Sequence, residues 1–512
     1  MTPDWIAVDW GTTRLRVWAM QGSQALQSRH SDKGMGGLTR DGFEPALLEL
    51  IHDWLPAQGR MPVIACGMVG ARTGWAEAEY RATPCTPLDP LRATRPDVGD
   101  ARLDVRILPG LSQAAPPDVM RGEETQIAGY LALDPGFDGT LCLPGTHCKW
   151  VRITQGRVTG FQTFMTGEIF SLISRQSVLR LSMAGAVPDV AAAALGAADA
   201  MADPHAATRG LFALRAGSLL DGLAPAQAAG RLSGLLIGTE LGAARDFWHN
   251  HKTIIIGAPE LAALYQVPMQ AAGADVTRMD GGQLVLSGLT AARTLTALQS
   301  LYEKKLATYP RTDSQYITHD DLDTLRGLTE GDRLTAGFIE PAAKPERPHL
   351  ELTVNDAKVA GHTAVLPTVQ ADKAALDELG DDERLVLVRV ARRMWEAVGD
   401  DYVHDVTNVV ANIDPHWCEK HPDEGRLLPE SECRFTSRSD QPVSLGWHAI
   451  EHAAPQEDHG EEDEAAGNII PANLTDGVSI APVPQCGATL SEGKTKPPKP
   501  FTEATLLAAM EH

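Results

Sequence analysis

The stretch Trp5-Ile-Ala-Val-Asp9-Trp-Gly11-Thr12-Thr13-Arg14-Leu-Arg16-Val17-Trp18 constrains the fold more than any other. Ile6, Ala7 and Val8 read as a short buried strand. Asp9 ends it, Gly11 permits a tight turn, and Thr12 and Thr13 supply hydroxyls and backbone N–H groups. Leu15, Val17 and Trp18 resume as a second strand. Such a hairpin can hold a phosphate in its turn and a hydrated Mg²⁺ on its aspartate. An ordinary hairpin with a polar turn fits the same residues equally well, because one short glycine motif specifies little.

At 512 residues the chain exceeds one typical domain, and about three are expected at ~100–200 residues each. A hydrophobic content of 43% with 22% charged residues fits a soluble globular protein. No apolar run reaches the ~18 residues of a spanning helix. Met1-Thr-Pro-Asp-Trp5 lacks the basic start and apolar middle of a secretion signal. Seven scattered cysteines argue against a disulfide framework and for a reduced, cytoplasmic setting without membrane partners. The net charge of −22 is uneven: 25 Lys+Arg stand against 28 Asp+Glu up to Leu295, and 20 against 39 afterwards. Before Leu295 the only lysines are Lys33, Lys149 and Lys252. A boundary near there is expected.

Within the first part, residues 44–56 carry apolar residues at helical spacing and stop at Pro56. Pro62-Val-Ile-Ala-Cys66-Gly-Met-Val-Gly70-Ala-Arg72 reads as a buried strand entering a glycine-rich loop, where Arg72 could meet an anion or simply be solvated. Arg121-Gly122-Glu123-Glu124 opens a helix-like run to Leu133, and two acids at a helix start can be mere dipole complements. Then comes a second strand–turn–strand: Gly139–Leu143, Pro144-Gly145-Thr146-His147, Cys148–Ile153. His147 could equally do no more than bond its own turn. Two such hairpins, with an acidic helix start before the second, are far rarer by chance than one. Residues 173–225 read as alanine- and leucine-rich helix, Ser233–Ala244 as a small-residue helix suited to an interdomain hinge, and Lys252–Tyr265 as strand, Gly257 turn and helix. A helix around Gly288–Leu295 closes this part.

The Asp-x-Gly-Thr-Thr-x-x-Arg pattern at 9–16 resembles the first phosphate motif of the sugar kinase, actin and Hsp70 superfamily, and Pro144-Gly145-Thr146 resembles the second. More narrowly, the segments at 7–13, 66–70, 107–110, 120–126, 143–150, 166–168 and 233–240 are similar to 2-dehydro-3-deoxygalactonokinases. The resemblance implies an α/β fold of two actin-like (ribonuclease H-like) lobes, and transfer of the ATP γ-phosphate to O6 of 2-dehydro-3-deoxy-D-galactonate. It implies Asp9 holding Mg²⁺ through water, Gly11, Thr12, Thr13, Gly145 and Thr146 lining the phosphates, and Gly257 at the adenosine. Carbohydrate kinases of this superfamily carry Gly-Asp, the general base, where this chain has Gly122-Glu123, which leaves Glu123 or Glu124 as the base. A cation should meet the sugar-acid carboxylate, and Arg72, Arg121 and Lys149 are the candidates.

Beyond Ala297 the pattern changes. Thr308-Tyr309-Pro-Arg311-Thr-Asp-Ser314 resembles the active-site segment of type IA DNA topoisomerases, particularly topoisomerase III. The resemblance makes Tyr309 the nucleophile, Arg311 its phosphate-contacting neighbour and His362, in Gly361-His-Thr-Ala-Val-Leu-Pro-Thr368, the active-site histidine. Lys496–Met510 continues the likeness. The Toprim domain that supplies that family's Mg²⁺ carboxylates has no counterpart before Tyr309, and Glu457–Glu464 reads as an acidic solvated loop. Cys418 and Cys433 lack zinc-finger spacing. The expected organisation is a kinase lobe at 1–115, a second lobe at 116–295, and an inactive mixed α+β topoisomerase-like fragment at 296–512. DNA would be a partner only through that fragment. The alternatives are a DNA-processing protein using Tyr309 and carrying the first part as a passenger, or an artefactual joining of two reading frames.

Overall fold

Each of the two hairpins opens a five-stranded sheet. The computed structural model describes residues 3–310, 312, 314–359, 361–412 and 434–452, and the chain divides into two units between Glu303 and Lys304. In the first unit the strands are β1 (Trp5–Trp10), β2 (Leu15–Gln21), β3 (Gln24–Ser31), β4 (Met61–Gly67), β5 (Tyr80–Ala82), β6 (Leu103–Ile107), β7 (Gly110–Gln113), β8 (Asp118–Met120), β9 (Gly139–Leu143), β10 (Cys148–Thr154), β11 (Arg157–Phe164), β12 (Thr253–Gly257) and β13 (Val276–Asp280). Its helices are α1 (Phe43–Ile51), α2 (Glu123–Leu133), α3 (Thr166–Gln176), α4 (Arg180–Met183), α5 (Val190–Ala202), α6 (Ala206–Leu220), α7 (Pro225–Ala243), α8 (Arg245–Trp248), α9 (Pro259–Ala271) and α10 (Gly281–Glu303).

The sheets run β3-β2-β1-β4-β6 and β11-β10-β9-β12-β13. In both, the first three strands are antiparallel and the last two join in parallel. The same topology therefore occurs twice, as an actin-like fold requires. β5, β7 and β8 form a small third sheet.

Strand alternation builds the layers. Ile6, Val8 and Trp10 of β1 pack towards α1 with Phe43 and Leu47. Trp5 and Ala7 point the other way, onto Ala128, Ala132, Val285 and Leu289 of α2 and α10. The opposite side of α2 and the start of α10 meet the second sheet through Ile127, Leu131 and Leu284 against Leu141, Val151 and Ile254. That sheet's outer face, with Cys142, Trp150 and Ile255, is covered from α7 and α9 by Leu241 and Tyr265. Each fully buried large apolar side chain contributes about 1.5–3 kcal/mol.

Three helical expectations differ in detail. The run at 173–225 is broken at 177–179, at 184–189, at 203–205 and at 221–224, with a glycine or proline in each of the last three breaks. The small residues of α7 do not face the other lobe. Gly230, Gly234 and Gly238 lie against Asp189, Ala193 and Ala197 around α5, inside the second lobe. The first sheet is instead met by α2 and α10, which cross so closely that a Cβ on Gly129 would collide with the Leu284 carbonyl and one on Gly288 with the Thr125 carbonyl. The closing helix starts at Gly281 and runs on to Glu303.

The second unit contains α11 (Leu322–Thr329), α12 (Lys373–Asp377), α13 (Asp381–Ala397), an antiparallel strand pair β14 (Val403–Asn412) and β15 (Arg434–Ser444), and a short helix, His448–His452. It is mixed α+β. Trp395 is fully buried there and donates to the Leu334 carbonyl at 2.9 Å. Among the described residues no helix is long and apolar enough to cross a membrane.

Substituting Gly288→Ala is expected to cost about 1–3 kcal/mol by overpacking the helix crossing. Gly242→Ala, on α7 with nothing within 4 Å of the new methyl, is expected to be neutral or to stabilise by up to about 1 kcal/mol. Thermal melting of the two variants beside the parent checks this; equal melting temperatures would refute it.

Candidate active site

Asp9 shares the face of Trp5 and Ala7, so alternation aims its carboxylate towards α2 and α10 at the end of β1. Its Oδ2 accepts from the Arg16 guanidinium opposite on β2, with Nε at 3.1 Å. Its Oδ1 lies 3.9 Å from the Cys66 thiol on the neighbouring strand β4. The following turn is closed by the Gly11 N–H to the Arg14 carbonyl at 2.9 Å, and Thr12 and Thr13 are exposed. A loop at 34–36 backs it: the Met35 N–H donates to the Gly11 carbonyl at 3.0 Å and the Gly36 N–H to the Thr12 carbonyl at 2.9 Å.

The second turn has the same construction. Thr146 is exposed, and the Glu168 N–H donates to its carbonyl at 2.9 Å. Gly167 comes so close to the Gly145 carbonyl that a Cβ would not fit. The His147 ring Nε2 lies 2.6 Å from Oε2 of Glu168, in the first turn of α3. Each turn therefore presents hydroxyl and backbone groups outward while a glycine-containing segment holds it from behind.

Two further glycine pairs bring a helix start against a strand end, one for each sheet. Gly122 precedes α2 with φ +108 and approaches Gly67, at φ +91 the last residue of β4, so closely that a Cβ would lie 3.2 Å from the Gly67 Cα. Both values are in the left-handed region that glycine adopts without strain. Gly281, at the start of α10, makes the corresponding approach to Gly257 at the end of β12, 3.4 Å from a built Cβ. The Gln126 amide donates to the Gly281 carbonyl at 3.1 Å, and Gly257 faces Pro144. Gly282 is near the Arg16 guanidinium, 3.5 Å from a built Cβ. The starts of α2 and α10 therefore lie beside the strand ends next to Asp9 and Pro144 respectively. Helix N-termini of this kind favour anions.

The two acids at the start of α2 have different surroundings. Glu124 is 0% exposed, and both its oxygens accept from the Gly122 N–H at 2.8 Å. Burial first, and the neighbouring Glu123 charge second, push its pKa up to about 8. Glu123 is partly exposed, accepts from the Arg121 N–H at 3.0 Å, and lies 3.8 Å from the Lys149 ammonium. Lys149 is 4% exposed.

The other predicted cations separate. Arg121 is buried, donates to the Ala78 carbonyl at 2.6 Å and sits 4.2 Å over the Tyr80 ring. It braces the segment after β4. Arg72, on the same segment, is exposed, and its guanidinium has no partner among the described residues. The loop at 34–36 and the start of α10 were not among the predicted site residues. Gly34-Met-Gly-Gly37 and Gly281-Gly282 were the visible signals for them.

Asp9 and the threonine hydroxyls are hard oxygen donors of the kind Mg²⁺ takes. Among the described residues no group of three or more His, Cys, Asp or Glu side chains could hold a metal ion by itself. A single carboxylate beside two phosphate-sized turns suits Mg²⁺, which commonly combines one or two carboxylates with substrate phosphates. In the second unit the Tyr309 and His362 rings lie 4.3 Å apart, and the Thr312 hydroxyl donates to the His362 carbonyl at 2.8 Å. Arg311 lies outside the described residues.

A family model described as 2-keto-3-deoxy-galactonokinase matches residues 9–292, more than half of the chain. The 2-dehydro-3-deoxygalactonokinase of Escherichia coli (strain K12) is 36% identical over 292 residues, 56% of this chain and 97% of that one. A crystal structure of an assigned 2-dehydro-3-deoxygalactonokinase from Sinorhizobium meliloti matches with a TM-score of 0.53 and 39% identity, covering 57% of this chain and 99% of that one. A DNA topoisomerase model matches residues 285–512. DNA topoisomerase 3 of Bacillus subtilis (strain 168) is 32% identical over 243 residues, 46% of this chain but 30% of the relative's own length. The two family matches join in one chain, a kinase-type first part and a topoisomerase-like second part.

The raised Glu124 pKa has a sign. Between about 4.5 and about 8 the unfolded chain has lost this proton and the folded chain has kept it. Stability therefore falls as pH rises through that window, and is fully present below it. Relative to the parent, Glu124→Gln is expected to lose less stability between pH 5 and pH 8. Parallel denaturation curves for the two across this range would contradict the assignment.

Proposed function

The chain belongs, through residues 9–292, to the 2-keto-3-deoxy-galactonokinase family and is a kinase, and we propose that it transfers the γ-phosphate of ATP to the O6 hydroxyl of 2-dehydro-3-deoxy-D-galactonate. The observation that carries this reading is the accessible Glu123 carboxylate, at a helix N-terminus and beside Lys149, in a unit that builds the same exposed phosphate-type turn twice.

In the proposed reaction Glu123 accepts the proton of the O6 hydroxyl. That oxygen bonds to the γ-phosphorus, the bond to the bridging oxygen breaks, and ADP leaves. Phosphoryl transfer of this kind depends on positioning and charge stabilisation more than on covalent help from the protein. The turns at Gly11-Thr12-Thr13 and Gly145-Thr146 would cradle the phosphates, and Gly257 would border the adenosine. Mg²⁺, held through water by Asp9, would neutralise phosphate charge. Lys149, 3.8 Å away, orients Glu123. Glu124, neutral near pH 7, caps the start of α2 and is not placed to be the base. Arg72, exposed and without a guanidinium partner among the described residues, is taken as the cation for the substrate carboxylate; Arg121 is buried and bonds the Ala78 carbonyl through Nη2, with its Nη1 unpartnered. The lobes are taken as 1–115 and 116–295, and the setting as cytoplasmic. The second unit is read as inactive in DNA relaxation, since residues 296–512 carry 20 basic against 39 acidic residues, a poor surface for phosphates.

ATP consumption with 2-dehydro-3-deoxygalactonate, run beside relaxation of supercoiled DNA, tests the whole reading. Glu123→Gln is expected to lower turnover by about 10²–10⁴ with ADP binding retained. Arg72→Ala is expected to raise the KM for the sugar acid and leave that for ATP unchanged. DNA relaxation abolished by Tyr309→Phe, with no sugar-acid turnover, would replace the kinase reading by the topoisomerase one.

A further inference from the structure

A second buried carboxylate lies outside this chemistry. Glu240, on α7, is 2% exposed. Trp150 Nε1 donates to its Oε1 at 2.7 Å, and the Tyr265 hydroxyl donates to its Oε2 at 2.9 Å. The side chains of Cys148 and Thr166 also lie beside it. Two donors from two elements, β10 and α9, therefore converge on one side chain, with the start of α3 next to it. Trp150 and Tyr265 are themselves almost wholly buried.

The location of those groups is what matters. Cys148 and Trp150 are on β10, the strand that leaves the Gly145-Thr146 turn. Thr166 is the first residue of α3, and Gly167 and Glu168 behind it back that turn. Tyr265 is on α9, which begins two residues after Gly257. These are the strand leaving the phosphate turn, the helix start behind it, and the helix bordering the proposed adenosine site. A buried carboxylate accepts from Trp150 on one oxygen and from Tyr265 on the other, with neither oxygen required to donate. A fully satisfied buried network of this kind is rigid, and a partly satisfied one is costly.

We propose that Glu240 is a positioning residue for the nucleotide, tying the Gly145-Thr146 turn, the start of α3 and α9 into one block that sets the ATP site. The proposal rests on the kinase reading above. Glu240 does not touch the nucleotide; it acts through the backbone of the turn and the start of α9.

The test is Glu240→Gln, which keeps the shape but replaces one acceptor oxygen by an NH₂ that cannot accept from Trp150 Nε1 and forces the Tyr265 hydroxyl to turn from donor to acceptor. The readouts are ADP affinity by calorimetry, KM for each substrate, and melting temperature. The expected result is a roughly tenfold weaker ADP affinity with a matching rise in KM for ATP, a change of about 1.4 kcal/mol, and a sugar-acid KM within about twofold of the parent. Unchanged ADP affinity in the folded variant overturns the proposal. So does an equal loss in both substrates' KM together with a lowered melting temperature, which marks a purely structural role. If Glu240→Gln does not fold, Tyr265→Phe decides, because it removes a single hydroxyl. Weaker ADP binding supports the proposal and unchanged binding refutes it. Calorimetry with ADP needs no sugar acid. A parent protein that binds ADP but does not phosphorylate the sugar acid would sink the substrate assignment and leave the Glu240 test standing.

Discussion

The close crossing of α2 and α10 is the contact on which the first unit depends. Gly129 and Gly288 remove the side chains that would otherwise hold the helices apart, so each backbone packs directly against a carbonyl of the other. Ordinary helix pairs stand 8–10 Å apart because side chains intervene. Here both helices also carry apolar residues on two sides, one set for each sheet. They therefore form a shared central layer, and the cleft lies where they begin. Gly122 and Gly281 bring those beginnings against the ends of β4 and β12. Two helix N-termini thus lie beside the strands that carry the two turns.

What was legible in the sequence was what is local. The hairpin at Asp9 and that at Gly145 are decided by alternation and by turn residues a few positions apart. Their strands fall where the pattern places them, with β9 at Gly139–Leu143. What was not legible is what depends on distant contacts. The loop at 34–36 supports the first turn from more than twenty residues away. Arg121 reads as a free cation, yet Tyr80 and the Ala78 carbonyl take it up. The small residues of α7 suggested a hinge because a sequence shows that a close approach is possible but not which partner makes it. That partner is α5.

The adjacent acids illustrate the same limit in chemical terms. Glu123 and Glu124 have identical side chains and one helix start, and pattern alone left both open as the base. Consecutive helix residues point about 100° apart, so one acid reaches the cleft beside Lys149 while the other turns into the interior. Interior placement penalises charge, and the Glu123 carboxylate adds repulsion, so Glu124 keeps its proton near neutrality. The pair thus separates into one partly exposed carboxyl and one buried, protonated carboxyl, without any difference in residue type.

The second unit shows why preserved local geometry is weak evidence for activity. The Tyr309 and His362 rings remain in contact. The surrounding hydrogen bonds are sufficient to keep them so. The Thr308 N–H donates to the Leu366 carbonyl at 2.9 Å, the Leu366 N–H to the Thr308 hydroxyl at 2.9 Å, and the Thr312 hydroxyl to the His362 carbonyl. These bonds tie the two segments together whether or not the tyrosine ever attacks a phosphodiester. Attack on DNA would further require positive charge at the scissile phosphate, which an arrangement of two rings does not supply. The family matches overlap at residues 285–292, inside the single helix α10. The join therefore falls in a segment whose apolar face is already required by the first unit's core, through Val285, Leu289 and Ala292. The sequence of that helix answers to the kinase lobes, and the second unit's own chemistry must be judged on residues beyond Glu303.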